Sequence, residues 1–339
     1  MKYSSCMNRL GCMLTVTALL MGLTSCEERF SESVPAAGEG NPVEVSLSFG
    51  FADEEDGYAL SVPADTRAGE DGEGGAFSAR LLPAAKTRIG EVISAPDQLY
   101  NLEIRQYDSK GGYKNGKAYG NVLLGQHLEV TLSALTDCQL VIVARGNGGA
   151  IAALDGKSLE QVQKMDVSSS VINAIDPSNS EDMKKMPYVL HLEHVNVVTG
   201  TDGKAVIQSP EGSYDTRLLL KRLAARLTVS WNYNVSGYEL KQLLLQSVPL
   251  NYAVIPTPDS EGNYPSILDQ FHTVEIDMNK GSSYSCWIPA NVRGESPAAN
   301  SDLQRTKANA PKGSSFLNFV AVNATDPKKK LDYRVCIGG

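Results

Sequence analysis

Alternating apolar and polar positions predict strands along most of the chain. Val43, Val45, Leu47, Phe49 and Phe51 are separated by polar or small residues, the two-residue period of a half-buried strand. Comparable runs occupy residues 100–105, 128–132 and 139–144, bounded by turn chemistry such as Asp108-Ser-Lys-Gly-Gly112 and Gly146-Asn-Gly-Gly149. Later runs cover 188–195, 243–248, 274–278, 284–288, 316–322 and 333–337. The segment 219–229 fits two periods: Leu219, Leu223, Ala225, Leu227 and Val229 alternate with polar residues, whereas Leu220, Leu223 and Leu227 sit at helical spacing. One short helix is predicted where Ser158-Leu-Glu-Gln161 forms a capping box ahead of Leu159, Val162 and Met165. Short strands separated by Gly-rich turns predict an all-β chain of sandwich architecture.

Ahead of the first strand, Lys2 and Arg9 precede an apolar run from residue 10 to 23, too short to span a bilayer and suited to a secretion signal. It ends in Leu23-Thr24-Ser25-Cys26, which resembles a lipobox: small residues admit a lipoprotein signal peptidase between Ser25 and Cys26, and the cysteine receives the lipid. The predicted mature protein is anchored to the outer membrane through lipidated Cys26. Glu27 and Glu28 resemble the acidic signals that send such lipoproteins to the cell surface.

Charge sharpens this division. The 339 residues carry a net charge of −8, but residues 27–73 hold 13 acids and two bases, and the remainder from residue 74 is close to neutral. An acidic leader (26–75), carrying the first strand and a Gly-rich linker at 52–75, therefore precedes a neutral body. Without a positive field, nucleic acid is not an expected partner. The polar, Pro-containing stretch 203–215 reads as a domain boundary, giving a signal peptide (1–25), the leader, an N-terminal sandwich at 76–214 that includes the strand 43–51, and a C-terminal sandwich at 215–339.

Candidate chemistry is sparse. No HExxH, GxSxG, Walker loop or complete GxGxxG occurs, so no catalytic residues, cofactor or metal site are assigned and the protein is read as a non-enzyme. Asp53-Glu-Glu-Asp56 lacks the alternation of a calcium loop. His191 and His194 project to opposite faces of a strand and cannot share a metal. Beyond the leader only Cys138, Cys286 and Cys336 remain; buried thiols on strands are preferred over a Cys286–Cys336 disulfide.

Several segments together resemble the fimbrillin family, the lipoprotein subunits and accessories of type V pili. Leu219-Leu-Lys-Arg-Leu-Ala-Ala-Arg-Leu-Thr-Val229 is similar to a family strand with an Arg-x-x-Ala-Lys core, with Arg226 in place of the commoner lysine. Pro289, Asn291, Arg293 and Gly294 in Trp287-Ile-Pro-Ala-Asn-Val-Arg-Gly294 resemble a Pro-Glu-Asn-x-Arg-Gly element, with Ala290 replacing the acid. Residues 307–311 and Phe316-Leu-Asn-Phe-Val-Ala-Val322 resemble its sequel, and 139–144 resembles a strand of the first sheet.

The resemblance implies two transthyretin-like Greek-key β-sandwich domains, with 219–229 as a strand. It also implies that the family pattern continues through a loop and strand beyond Asp332-Tyr-Arg-Val-Cys-Ile-Gly-Gly339. The implied function is that of a pilus subunit or accessory in a fimbrium, serving adhesion, and joined to other pilus subunits by β-strand addition. The resemblance further implies an arginine-specific protease that removes the strand of Val43, Val45, Leu47, Phe49 and Phe51, for which Arg67–Ala68 is the candidate cleavage site, with Arg80 and Arg88 as alternatives and an uncleaved anchor or tip subunit as the other reading. Two other functions remain open. One is a monomeric surface lipoprotein binding glycans through Trp231, Trp287, Tyr252 and Tyr264, although core packing is the preferred reading of the strand-borne tryptophans; the other is an exported hydrolase.

Overall fold

The computed structural model describes residues 40–52, 96–199, 204–209, 212–213, 217–258, 270–294, 296–298, 304 and 306–337. It is an all-β molecule. The strands of its first sheet are β1 (Pro42–Phe51), β2 (Gln98–Tyr107), β3 (Tyr113–Leu123), β4 (Leu128–Ser133), β5 (Leu135–Ala144), β7 (Tyr188–Thr199), β8 (Ala205–Ser209), β9 (Gly212–Ser213) and β10 (Arg217–Arg222). They are bonded in the order β3-β2-β5-β7-β10-β1-β8-β9, with β4 on β1 and β7 also on β8.

Strands β2 and β5 are buried on both faces, which explains why residues 139–144 read as an apolar run rather than an alternation. The segment joining β5 to β7 covers their outer side, contributing Ile151, Leu154, Leu159, Val162, Ile172 and Met183 to the main core. Three short helices stand in this cover where one was expected: α1 (Leu159–Gln163), α2 (Ser169–Asn173) and α3 (Ser180–Met183). Helix α1 is the expected one; the Ser158 N–H donates to Gln161 Oε1 at 2.8 Å and the Gln161 N–H to Ser158 Oγ at 3.3 Å. The other two run five and four residues, too short to establish a helical period in the sequence.

The stretch 203–215 contains strands: β8 pairs with β7 over 205–208 and with β9 in a hairpin. The expectation of one strand over 219–229 is corrected. The segment 219–229 is two strands, β10 and β11 (Ala225–Ser230), broken at Leu223 and Ala224 where the Leu223 N–H turns to Pro187 O at 3.2 Å. Strand β10 bonds β1 and β7, and β11 bonds β15 (Ser283–Ile288), so the chain leaves the first sheet after Arg222.

Beyond that break lie a four-stranded sheet, β14-β12-β16-β17, and a two-stranded one, β11-β15, formed by β12 (Tyr238–Pro249), β14 (Phe271–Glu275), β15 (Ser283–Ile288), β16 (Phe316–Asn323) and β17 (Lys330–Cys336). Their shared core is thin, with Val229, Leu243, Leu245, Val248, Ile276 and Cys286 its buried members. A third pairing, β6 (Asp166–Ser168) with β13 (Asn251–Ala253), ties the helical cover to this part of the chain, reinforced by the Ser169 N–H bond to Leu250 O at 2.7 Å.

Trp287 and Tyr252 are buried within the main core, and the Arg222 guanidinium lies 4.7 Å from the indole centre, so neither ring is available to a surface sugar platform. Trp231 is half-buried, and Tyr264 lies outside the described residues. Cys138, Cys286 and Cys336 are buried on β5, β15 and β17 with no disulfide between them. Burial pushes the Cys286 thiol up to about 12. His191 contacts Gln139 Oε1 at 3.0 Å and His194 contacts Asp137 at 2.8 Å, and a register shift between the Leu140–Leu192 and Cys138–Val195 pairs interrupts the strand's alternation between the two histidines.

Candidate functional site

Strand β1 occupies a position that its modest sequence does not announce. Its first half pairs antiparallel with β4, Pro42 through Leu47 against Ser133 through Leu128. Its second half pairs parallel with β10, Ser48 through Phe51 against Arg217 through Leu220, and Val45 bridges to Ala205 of β8. Among the described residues β4 is bonded to no other strand, and β10 otherwise has two paired positions with β7. One ten-residue strand therefore holds two others in the sheet.

The side chains explain why it stays. Val45, Leu47 and Phe49 are buried to 2%, 1% and 0% exposure, each contributing about 1.5–3 kcal/mol by leaving water. Phe51 stacks on Tyr188 at 4.2 Å between ring centres, and Val43 packs at the core margin. On the other face, Glu44 accepts from the Thr131 hydroxyl at 2.7 Å. At Gly50 a Cβ would lie 3.0 Å from both Arg217 Nε and Leu219 Cδ2, so a side chain there would have to displace the ends of these two exposed side chains.

A second device holds β4 independently of β1. The buried Gln106 side chain copies a strand's hydrogen bonds, its Nε2 donating to Ser133 O at 2.8 Å and its Oε1 accepting from the Ser133 N–H at 2.7 Å. The end of β4 is thus tied to β2 through Ser133 as well as to β1. Nothing in the alternation pattern marks Gln106; a glutamine inside an apolar strand is the signal that was available.

The Pro289, Asn291, Arg293 and Gly294 element proves to be a structural knot. At a bulge in β12, Ser247 adopts a left-handed φ of 56°, which turns its carbonyl out of the ladder. Asn291 Nδ2 donates to Ser247 O (3.2 Å), Gly313 O (2.9 Å) and Ser315 Oγ (2.8 Å), while its Oδ1 accepts from Arg293 Nε at 2.8 Å. Only an amide offers donors and an acceptor in this arrangement. Buried Arg293 lies 5.5 Å over the Phe271 ring, Pro289 is buried just after β15, and Gly294 takes a φ of 82° that disfavours side chains. Asn291→Ala is expected to cost about 1–3 kcal/mol in urea denaturation, because it orphans several buried partners at once. Asn291→Asp should cost at least as much, since it keeps Arg293 but sets an oxygen against two carbonyls.

Ser25, Cys26, Arg67 and Ala68, together with Arg80 and Arg88, lie outside the described residues.

Residues 286–339 match the family model described as a domain of unknown function (DUF4906), the segment that contains both the Asn291 knot and the 307–322 sequel. No curated protein matches the chain. Solved structures similar to it include the C-terminally truncated tip fimbrial protein Mfa3 from Porphyromonas gingivalis, at 14% identity and TM-score 0.45 over 70% of this chain and 76% of that one. A protein assigned to cell adhesion from Bacteroides eggerthii is similar at 9% identity and TM-score 0.42, over 88% and 81% of the two chains. A fimbrial assembly protein from Parabacteroides distasonis follows at 8% and 0.34, over 69% and 78%. The structures to which this chain is similar are thus Bacteroides-type fimbrial proteins and adhesins.

Proposed function

We propose that the protein is a cell-surface pilus subunit or accessory that acts in adhesion and assembles by strand exchange, with β1 as the strand that is released and replaced. The observation that carries this reading is that β1 alone bonds β4 among the described residues and also holds the 217–220 half of β10, while filling three apolar pockets at alternate positions. A segment from a neighbouring subunit with apolar residues at i, i+2 and i+4 meets the same backbone groups and pockets. The lipobox ending at Cys26 supports delivery to the outer membrane, and the division at residue 215 is replaced in this reading by one after Arg222.

Release requires a cut between β1 and β2, and Arg67 is the proposed point for an arginine-specific protease. Cleavage there separates the acidic leader, its lipid and β1 from the body, taking the net charge from −10 for a chain starting at Cys26 to −2 for one starting at Ala68. Mass spectrometry of assembled surface material is expected to find Ala68 at the N-terminus, and Arg67→Ala to leave the leader attached and the protein monomeric. Assembled material that still begins with acylated Cys26 would sink the proposal.

A further inference from the structure

We infer that the outer face of the four-stranded sheet carries a binding site for a carboxylate-bearing saccharide, at a cleft walled by Gln246, Ser247, Phe271, Thr273, Lys307, Phe316 and Arg334. The inference stands apart from strand exchange, since it does not use β1. Gln246 is in register with Phe316, and Asn318 with Arg334, which places these residues on one face of the sheet. The neighbouring Leu245 and Leu317 belong to the opposite face, where they pack with Cys286 of β15. The cleft on the outer face is an open, mostly polar depression of about 440 Å³.

Its chemistry is cationic and hydroxyl-seeking. Lys307 makes no ion pair among the described residues; its Nζ stands 5.1 Å over the Phe316 ring, which positions an ammonium without neutralising it. Arg334 is held by Asp332 at 3.2 and 3.0 Å through Nε and Nη2, leaving the rest of its guanidinium for a second anion. His272, which also borders the cleft, is held below the usual histidine range by burial, so it adds no charge at neutral pH.

The side chains of Gln246, Ser247 and Thr273, which line the same cleft, have no hydrogen-bond partner among the described residues, and Asn291 holds the Ser247 carbonyl. Each aromatic ring already carries a cation over one face, Arg293 on Phe271 and Lys307 on Phe316, so stacking a neutral sugar is the lesser use of this site. A carboxylate between Lys307 and Arg334, with hydroxyls toward Gln246, Ser247 and Thr273, uses every group that is left.

The test is an NMR or calorimetric titration of the full chain at low salt with four probes: a galacturonate trisaccharide, sialyllactose, lactose and a Glu-rich peptide. The expected result is saturable binding of one or both carboxylated sugars, the pair distinguishing uronic from sialic sources, and none of lactose. Lys307→Ala and Arg334→Gln should each weaken binding about fivefold or more, with Lys307→Arg retaining it. Lysine 307 is exposed, so its loss leaves the fold intact. Absence of binding, equal binding of lactose, tighter binding of the peptide, or indifference to both substitutions would each overturn the inference.

Discussion

Phe49→Ala is expected to lower stability by about 3–5 kcal/mol, the largest single-residue effect in the first strand. Phe49 has no exposure, sits at the turning point where β1 passes from β4 to β10, and pairs in register with Leu218, itself buried. Truncation removes the transfer free energy of a phenyl group and leaves a cavity in a close-packed interior. Ser46→Ala, on the same strand at a half-buried position, provides the control and is expected within about 0.5 kcal/mol of the parent. Urea denaturation measures both. Similar losses for the two variants would mean that β1 rests on its backbone bonds rather than its pockets, and would remove the ground for a replacement strand selected by alternate apolar residues.

The second large effect is expected at Glu103, 2% exposed beneath the helical cover. Its carboxylate accepts from three donors: Arg145 Nη1 at 2.9 Å, the Leu154 N–H at 3.0 Å and Arg105 Nη2 at 3.2 Å. Glu103→Gln keeps the shape but halves the acceptor oxygens and points an NH2 group at a donor, while leaving the buried Arg105 only the exposed Asp155 carboxylate, 3.4 Å away, as its anion. A loss of about 3–5 kcal/mol follows, since breaking one side of a buried pair strands the other charge. Replacing Glu103 and Arg105 together by Leu and Met should cost less than Glu103→Gln alone. Hydrogen exchange gives an independent reading: the Leu154 amide loses protection in Glu103→Gln before the strands of β5 and β7 do. If that amide stays protected, the carboxylate is not what fastens the cover.

How far the chain could be read in advance depended on how each residue is used. Val43 through Phe51 alternate because one face of β1 meets the core over most of its length, so the strand was legible at nearly its true bounds. Its parallel partner was not, because the alternation of Leu219, Leu223, Ala225, Leu227 and Val229 runs unbroken from β10 into β11, and the break at Leu223 and Ala224 comes with a tertiary bond to Pro187 that no local pattern encodes. Strand β3 escaped notice because it is an exposed edge with Gly116 and Gly120 at positive φ and a single buried residue, Val122. Asn291 and Arg293 were visible as a motif, but their role was not, since Ser247, whose bulged carbonyl they hold, lies 44 residues away. The cleft has the same limit: Gln246, Phe316 and Arg334 share a face only through the register of β12, β16 and β17, and Lys307 reaches Phe316 from the preceding loop.

The parallel pairing of β1 with β10 also sets an order in time. Residues 48–51 find their hydrogen-bond partners roughly 170 residues further along the chain, whereas 42–47 meet β4 after fewer than about 100. A chain delivered from its N-terminus must therefore carry Phe49 uncovered while most of the first sheet is still arriving, and the fold can seal only when residues 217–220 dock. The segment that emerges first is the last to be locked, so the molecule passes through a stage in which every other strand of that sheet is available and this seam is still open.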